Sequence, residues 1–266
     1  MTDDDLPEVF GTVMPRRLFK YRPLDSSEHK EWVRQTLLDD IIYLSTPDQF
    51  NDPLDCSPIR KVTTRIFCNE LQPMMKDFYP GLNRRQRRQK FRTLRSKPSN
   101  FFEPALPAID ADEKTSSIYS LSSDPGSILM WAHYSSGHRG VCLEFDAKYL
   151  IGPLIPEILA GPITYSNERP TLTVAEKYDP PREMIRKTFF VKSDRWSHES
   201  EWRLFHYRGG AGPRKIHPAA LRSVILGYKI ATEDAEYIRS VARQRSVTIS
   251  VKQAHFREGS FQLEVV

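Results

Sequence analysis

Leu18 to Pro47 reads LFKYRPLDSSEHKEWVRQTLLDDIIYLSTP, and the alternation within it decides the fold class. From Leu18 to Arg22, Leu, Lys and Arg alternate with Phe and Tyr, the period-two pattern of a half-buried strand whose polar groups are Lys20 and Arg22. Asp25 with Glu28 three residues later has the form of a capping box. With Trp32, Leu37 and Leu38 as a partial apolar stripe, it predicts a helix from about Ser26 to Leu38. Ile41 to Leu44 is a short apolar strand. Strand, helix and strand then end at a Ser45-Thr46-Pro47 corner. The polar run that follows, to Asp55, contains Asn51-Asp52-Pro53, a turn signature because Asn and Asp bond their own backbone and Pro presets the next dihedral.

The same alternation resumes downstream. Ile118 to Leu121 reads as a strand, Leu129 to Tyr134 as a short helix, and Gly140 to Phe145 as a strand with Val141, Leu143 and Phe145 on one face. Pro153, Pro156 and Gly161 break the next segment. Ile163 to Tyr165 and Glu201 to Tyr207 read as strands, with a helix ending over Arg182 to Phe190 between them. The tail gives a strand (Ser223 to Leu226), a helix capped by Thr232 (Thr232 to Arg243), and strands over Val247 to Val251 and Phe261 to Val265. Residues 58–107 look helical and basic without a strand pattern. The expectation is therefore one α/β (α+β) domain over residues 1–266 with a mixed β-sheet and a helical basic insertion at about 58–107.

Composition narrows the class. A chain of 266 residues can bury a full core, and with 39% hydrophobic and 27% charged residues it is ordinary for a globular protein. No apolar run approaches the roughly 20 residues that span a bilayer, so no membrane role is expected. The acidic start, MTDDDLPEVF, lacks the basic and apolar regions of a secretory signal. Cys56, Cys68 and Cys142 have no C-x-x-C spacing and read as reduced thiols, which points to the cytoplasm. The charge is unevenly placed: Asn83 to Lys97, NRRQRRQKFRTLRSK, holds eight Lys or Arg and no acid. That density attracts polyanions, nucleic acid among them, although a solvated helix face is the plainer reading.

Several residues could carry chemistry. Glu199 and Glu201, two apart, project to one face if the strand starts early enough. Paired carboxylates suit the cleavage of a glycosidic bond, where they stabilise an oxocarbenium-like state. The alternative is a structural pair with one Glu bridging Arg203 or Lys192 at the surface. Lys20 could hold a phosphate or ribose oxygen, although a solvent-facing strand lysine is commoner. Ser45 and Thr46 could bond a ribose, with Pro47 fixing their turn. His133, Tyr134 and His138 gather near a glycine corner, but their spacing does not match a metal helix, and no metal is expected.

Four blocks, LFKYR, YLSTPDQFNDPLD, MWAHYSSGHRGVCLEFD (Met130 to Asp146) and WSHESEWR (Trp196 to Arg203), resemble the bacterial domain of unknown function 2971 family, which is associated with phage defence. The order Lys20, Ser45-Thr46, Glu199-x-Glu201 is similar to the basic residue, Ser-Thr-Ser and Glu-x-Glu elements of the ADP-ribosyltransferase superfamily. That resemblance implies a split, mixed sheet with NAD as substrate in the cleft. Lys20 would steady NAD, with Arg22, Ser45, Thr46, Asn51 and Tyr134 as further binding residues. Glu201 would be the catalytic Glu, and Glu199 would orient ribose or acceptor. The sequence departs from the pattern at Lys20, where Arg or His is usual, and at Pro47, which replaces the second Ser. The function implied is an ADP-ribosyltransferase-like effector, or an NAD glycohydrolase if water attacks, with nucleic acid or protein as acceptor. Two other classes stay open. One is a metal-dependent nuclease or nucleic-acid binder using Asn51, Asp52 and Asp55; the other is a non-catalytic sensor or interaction module.

Overall fold

The computed structural model describes residues 8–60, 69, 72–73, 75–77, 79–96, 114–151, 158–172 and 181–266. Eight strands form one mixed sheet, in the order Leu263–Val265, Ser250–Phe256, Leu221–Leu226, Val141–Asp146, Arg17–Arg22, Ser117–Ser122, Glu201–His206, Ile158–Pro162. Neighbours run antiparallel except Leu221–Leu226 and Ser250–Phe256, which are parallel. Parallel strands need a crossover, and the Thr232–Arg243 helix supplies it. The α/β class and the mixed sheet agree with the expectation from sequence.

Burial on both faces follows from the central strand, VCLEFD, in which all six residues are buried. On one face, Val33 and Leu37 of the Ser27–Leu38 helix and Ile238 and Val241 of the crossover helix pack on Leu18, Leu143, Phe145 and Val224. On the other, Trp131 and Met130 of the Ile128–Tyr134 helix cover Phe19, Tyr21 and Cys142. A third cluster joins Phe189, Phe190 and Phe205 with Ile118 and Ile163.

The join at the middle of the sheet matters most. Arg17–Arg22 pairs with Val141–Asp146 at six positions, and Ser117–Ser122 pairs with Glu201–His206 at six. These two blocks share a single paired position, Phe19 with Ser122. Beyond it the strands part, and Lys20 Nζ reaches across to the Ser120 carbonyl at 2.7 Å. Ser45 closes the far side, exchanging backbone hydrogen bonds of 2.9 and 2.8 Å with Ile118.

Several local expectations are corrected. The first helix is capped by Ser26, whose hydroxyl accepts from the His29 amide at 3.1 Å, whereas Asp25 instead accepts from Ser136 Oγ at 2.7 Å. Ala231, without a side-chain bond, occupies the cap position expected for Thr232. Trp32 does not join the buried stripe, which is Val33, Thr36 and Leu37. Ile158–Pro162 is a strand despite Gly161, and Gly212–Lys215 pairs antiparallel with Ile41–Leu44 although GPRK carries no alternation. The strand expected from Val247 starts at Ser250. Within the insertion, Ile59–Arg60 pairs parallel with Thr171–Leu172, and Arg84–Ser96 is a helix with no buried residue. The rest of the 58–107 expectation falls largely on residues 61–68, 70–71, 74, 78 and 97–107, outside the described residues, as does Cys68. Cys56 and Cys142 are buried free thiols. Among the described residues, no helix is long and apolar enough to cross a membrane.

Candidate functional site

Where the two blocks part there is a cavity of about 490 Å³. Seven of the eight residues expected to catalyse on or bind NAD line it: Lys20, Arg22, Ser45, Asn51, Tyr134, Glu199 and Glu201. Thr46 does not, because it serves the turn beside the cavity. Its amide donates to Gln49 Oε1 at 3.1 Å, closing the Pro47–Gln49 helical turn, so that Gln49, Phe50 and Asn51 face the cavity instead.

The acidic wall is a buried ion network. Lys192 Nζ lies 2.5 Å from Glu199 Oε2, 3.1 Å from Glu201 Oε2 and 3.6 Å from Asp55 Oδ2. Arg203, fully buried, reaches Glu201 Oε1 through Nε at 2.7 Å and Asp55 Oδ2 through Nη2 at 2.6 Å. Its Nη1 donates to the Phe189 carbonyl at 2.7 Å. Three carboxylates thus face two cations, leaving one formal negative charge in excess. Burial by itself would raise the Glu201 pKa, but Arg203 and Lys192 outweigh it and hold this carboxyl well below the usual range. Burial likewise opposes the Lys192 charge, and Glu201, Glu199 and Asp55 overcome it, so the Lys192 pKa is raised.

The Glu-x-Glu pair converges by a route that alternation did not anticipate. Glu199 ends a 3-10 helix (Asp194–Glu199), Glu201 begins the strand, and Ser200 between them is left-handed at φ 45°. This corner, rather than a shared strand face, turns both carboxylates onto Lys192. The pair is buried, each residue 4% exposed, instead of bridging at the surface. Both Glu201 oxygens are engaged by Arg203 and Lys192. Glu199 Oε1 is held from the cavity side, accepting from Tyr134 Oη at 2.5 Å. Asn51 Nδ2 donates to the same hydroxyl at 3.4 Å. Burial and the Glu199 carboxylate together push the Tyr134 phenol up.

The opposite wall is cationic and aromatic. Lys20 Nζ stands 4.8 Å from the centre of the Tyr119 ring, and Arg22 Cζ is 5.9 Å from the same ring and 5.8 Å from that of Trp32. No carboxylate lies within ion-pair distance of Lys20 or Arg22 among the described residues. Burial, then Arg22, lower the Lys20 pKa from its ordinary value to about 7, while Glu201 and Glu199 pull weakly the other way. Lys20 is half-buried and lines the cavity. Trp32 and Tyr43, both partly exposed, also line the cavity. Sequence reasoning missed Trp32, Tyr43, Phe50 and Tyr119, whose convergence depends on the split, and treated Lys192 only as a surface partner.

The acids proposed for a metal-dependent site are otherwise occupied: Asp55 by Arg203, and Asp52 by the Leu54 amide at 2.9 Å. Among the described residues, no group of three or more His, Cys, Asp or Glu is placed to hold a metal ion.

No curated protein and no solved structure matches the chain. Residues 130–204 match the model of a family described as a protein of unknown function, DUF2971. The match covers the third and fourth sequence blocks and leaves out LFKYR and YLSTPDQFNDPLD. It includes Tyr134, Lys192, Glu199, Glu201 and Arg203, so the chain is similar to that family along most of the acidic wall.

Proposed function

We propose that the cavity binds NAD and breaks its nicotinamide–ribose bond, passing ADP-ribose to a macromolecular acceptor. The observation that carries this reading is the meeting of Lys20, Ser45, Glu199 and Glu201, from three distant segments, around one cavity in the split of the sheet. The chemistry is consistent with it. The nicotinamide ring of NAD is cationic, and its departure leaves positive charge on the ribose. A wall with one negative charge in excess stabilises both, most strongly where water is excluded. Arg22 suits the pyrophosphate, and the rings of Trp32, Tyr43 and Tyr119 offer faces for stacking.

The geometry favours an exchange of roles within the acid pair. Glu201, with both oxygens in ion pairs, sets the field and positions Lys192. Glu199, held through Tyr134, is the carboxylate that a ribose hydroxyl reaches when it displaces the phenol. The Arg84–Ser96 helix, exposed and without an acid, is the surface for a nucleic-acid acceptor. Resemblance to a phage-defence-associated family adds a cellular reading, an effector acting on host NAD or on nucleic acid in the cytoplasm.

The test is nicotinamide release from NAD by the wild-type protein and by Glu199→Gln, with and without RNA, DNA or lysate. The expected result is release that falls about 10²-fold or more in the variant, the scale of losing one transition-state contact. Label retained on a macromolecule distinguishes transfer from hydrolysis. Absence of both release and NAD binding under every condition rejects the reading.

A further inference from the structure

Lys20 and Lys192 share one cavity, and their surroundings divide the electrostatics between them. The carboxylates of the acidic wall, Asp55, Glu199 and Glu201, are taken up by Lys192 and Arg203. Among the described residues Lys20 has one hydrogen-bond partner, the Ser120 carbonyl, and it has a like-charged neighbour in Arg22. A lysine held this way beside an accessible cavity keeps much of its amine neutral near pH 7, which is the form with a lone pair to donate. Lys20 and Arg22 also flank the same Tyr119 ring, so an anion held by Arg22 lies beside the amine.

We propose that Lys20 is a nucleophilic amine that captures small aldehydes or ketones bearing an anionic group, with Arg22 holding the anion. The amine lone pair forms the C–N bond, and the carbonyl electron pair moves to oxygen, which takes up a proton. That proton comes from the amine nitrogen, and the second amine proton follows it to the same oxygen, which leaves as water and leaves the C=N imine. No redox step is involved. This activity goes beyond the NAD reading and does not rest on it, and nicotinamide release plays no part in its test.

The probe is glyoxylate at pH 7 with sodium cyanoborohydride, which reduces the imine to a stable secondary amine, followed by peptide mass mapping over time. At pH 7 an amine of pKa about 7 is half neutral, whereas an ordinary lysine is neutral in about one molecule in 10³. Lower basicity gives back part of that advantage. Lys20 is expected to react about 10- to 100-fold faster than the exposed Lys215 and Lys229, with a rate that levels off by pH 8. Acetaldehyde, which carries no charge, and glyoxylate with the Arg22→Gln variant are both expected to be slower at Lys20 by about tenfold. Modification of Lys20 no faster than of Lys215 in the wild-type protein overturns the nucleophile. Equal rates at Lys20 for glyoxylate and acetaldehyde overturn the anionic substrate class.

Discussion

Lys192 Nζ sits 2.5 Å from the Glu199 carboxylate, and that ion pair is anchored behind by Arg203, which holds Glu201 and Asp55. The acidic wall is therefore preorganised before any ligand arrives. Its charges are fixed by one another, and the cations of the opposite wall have no carboxylate partner among the described residues.

Removing the anchor exposes its worth. Arg203→Met leaves Asp55, Glu199 and Glu201 buried with one cation, Lys192, for all three. Breaking a buried pair from one side costs about 3–5 kcal/mol, so a urea midpoint far below wild type, or failure to fold, is expected. A midpoint shift within experimental error would show the network to be dispensable.

Lys20 makes stability depend on pH in a defined sense. Its folded pKa, about 7, lies below its unfolded value near 10.5, so between these pH values the unfolded chain holds more protons and stability rises with pH. Below pH 7 the charged amine carries its full desolvation penalty. Lys20→Met should therefore be more stable than wild type at pH 6, and this difference should shrink to nothing by pH 10.5. Each pKa unit is worth about 1.4 kcal/mol, and cavity water screens part of it, so a swing of ~2 kcal/mol in denaturant melts is expected. A pH-independent difference would contradict the assignment.

Ser200 holds a left-handed backbone between the two glutamates. Glycine adopts that conformation without penalty, so Ser200→Gly should raise stability by up to ~1 kcal/mol. Ser200→Val should lower it by about 1–2 kcal/mol and disturb the alignment of Glu199 with Lys192. Thermal melts of the two variants should bracket the wild type.

Gly140 is constrained by contact rather than by dihedral. A Cβ there would stand 2.1 Å from the Arg22 carbonyl oxygen, an atom of backbone that cannot swing aside. Gly140→Ala should displace the end of the strand bearing Arg22, cost about 1–3 kcal/mol, and weaken binding of any anion at Arg22. Unchanged chemical unfolding would argue that the strand end yields freely.

How much of this was legible in the sequence varies with how local each signal is. Leu18–Leu44 could be read almost residue by residue, because alternation, capping chemistry and an apolar strand follow one another within thirty positions. Even there, the cap expected at Asp25 falls one residue later, on Ser26, because composition does not fix which of two neighbouring polar residues turns its side chain onto the helix. Gly212–Lys215 had no legible pattern because it becomes a strand only by pairing with Ile41–Leu44. The residues of the cavity were named one by one from their chemistry. Their common location was not readable, because it depends on two strands that meet at Phe19 and Ser122 and then part. The burial of Glu199 and Glu201 was hidden for the same reason: Lys192 and Arg203 reach them through a left-handed corner that no alternation signals.

The Arg17–Arg22 strand lies at the centre of the sheet although it is made long before the strand it pairs with at six positions. Arg17 meets Asp146, 129 residues further along the chain. At ordinary translation rates the ribosome takes on the order of ten seconds to cover that distance. Until Ser117–Ser122 is made, Leu18, Phe19 and Tyr21 stand on a strand with two open edges, and until Val141–Asp146 follows one edge stays open. A truncation ending before Asp146 would leave that strand permanently exposed, to aggregate rather than to fold in part.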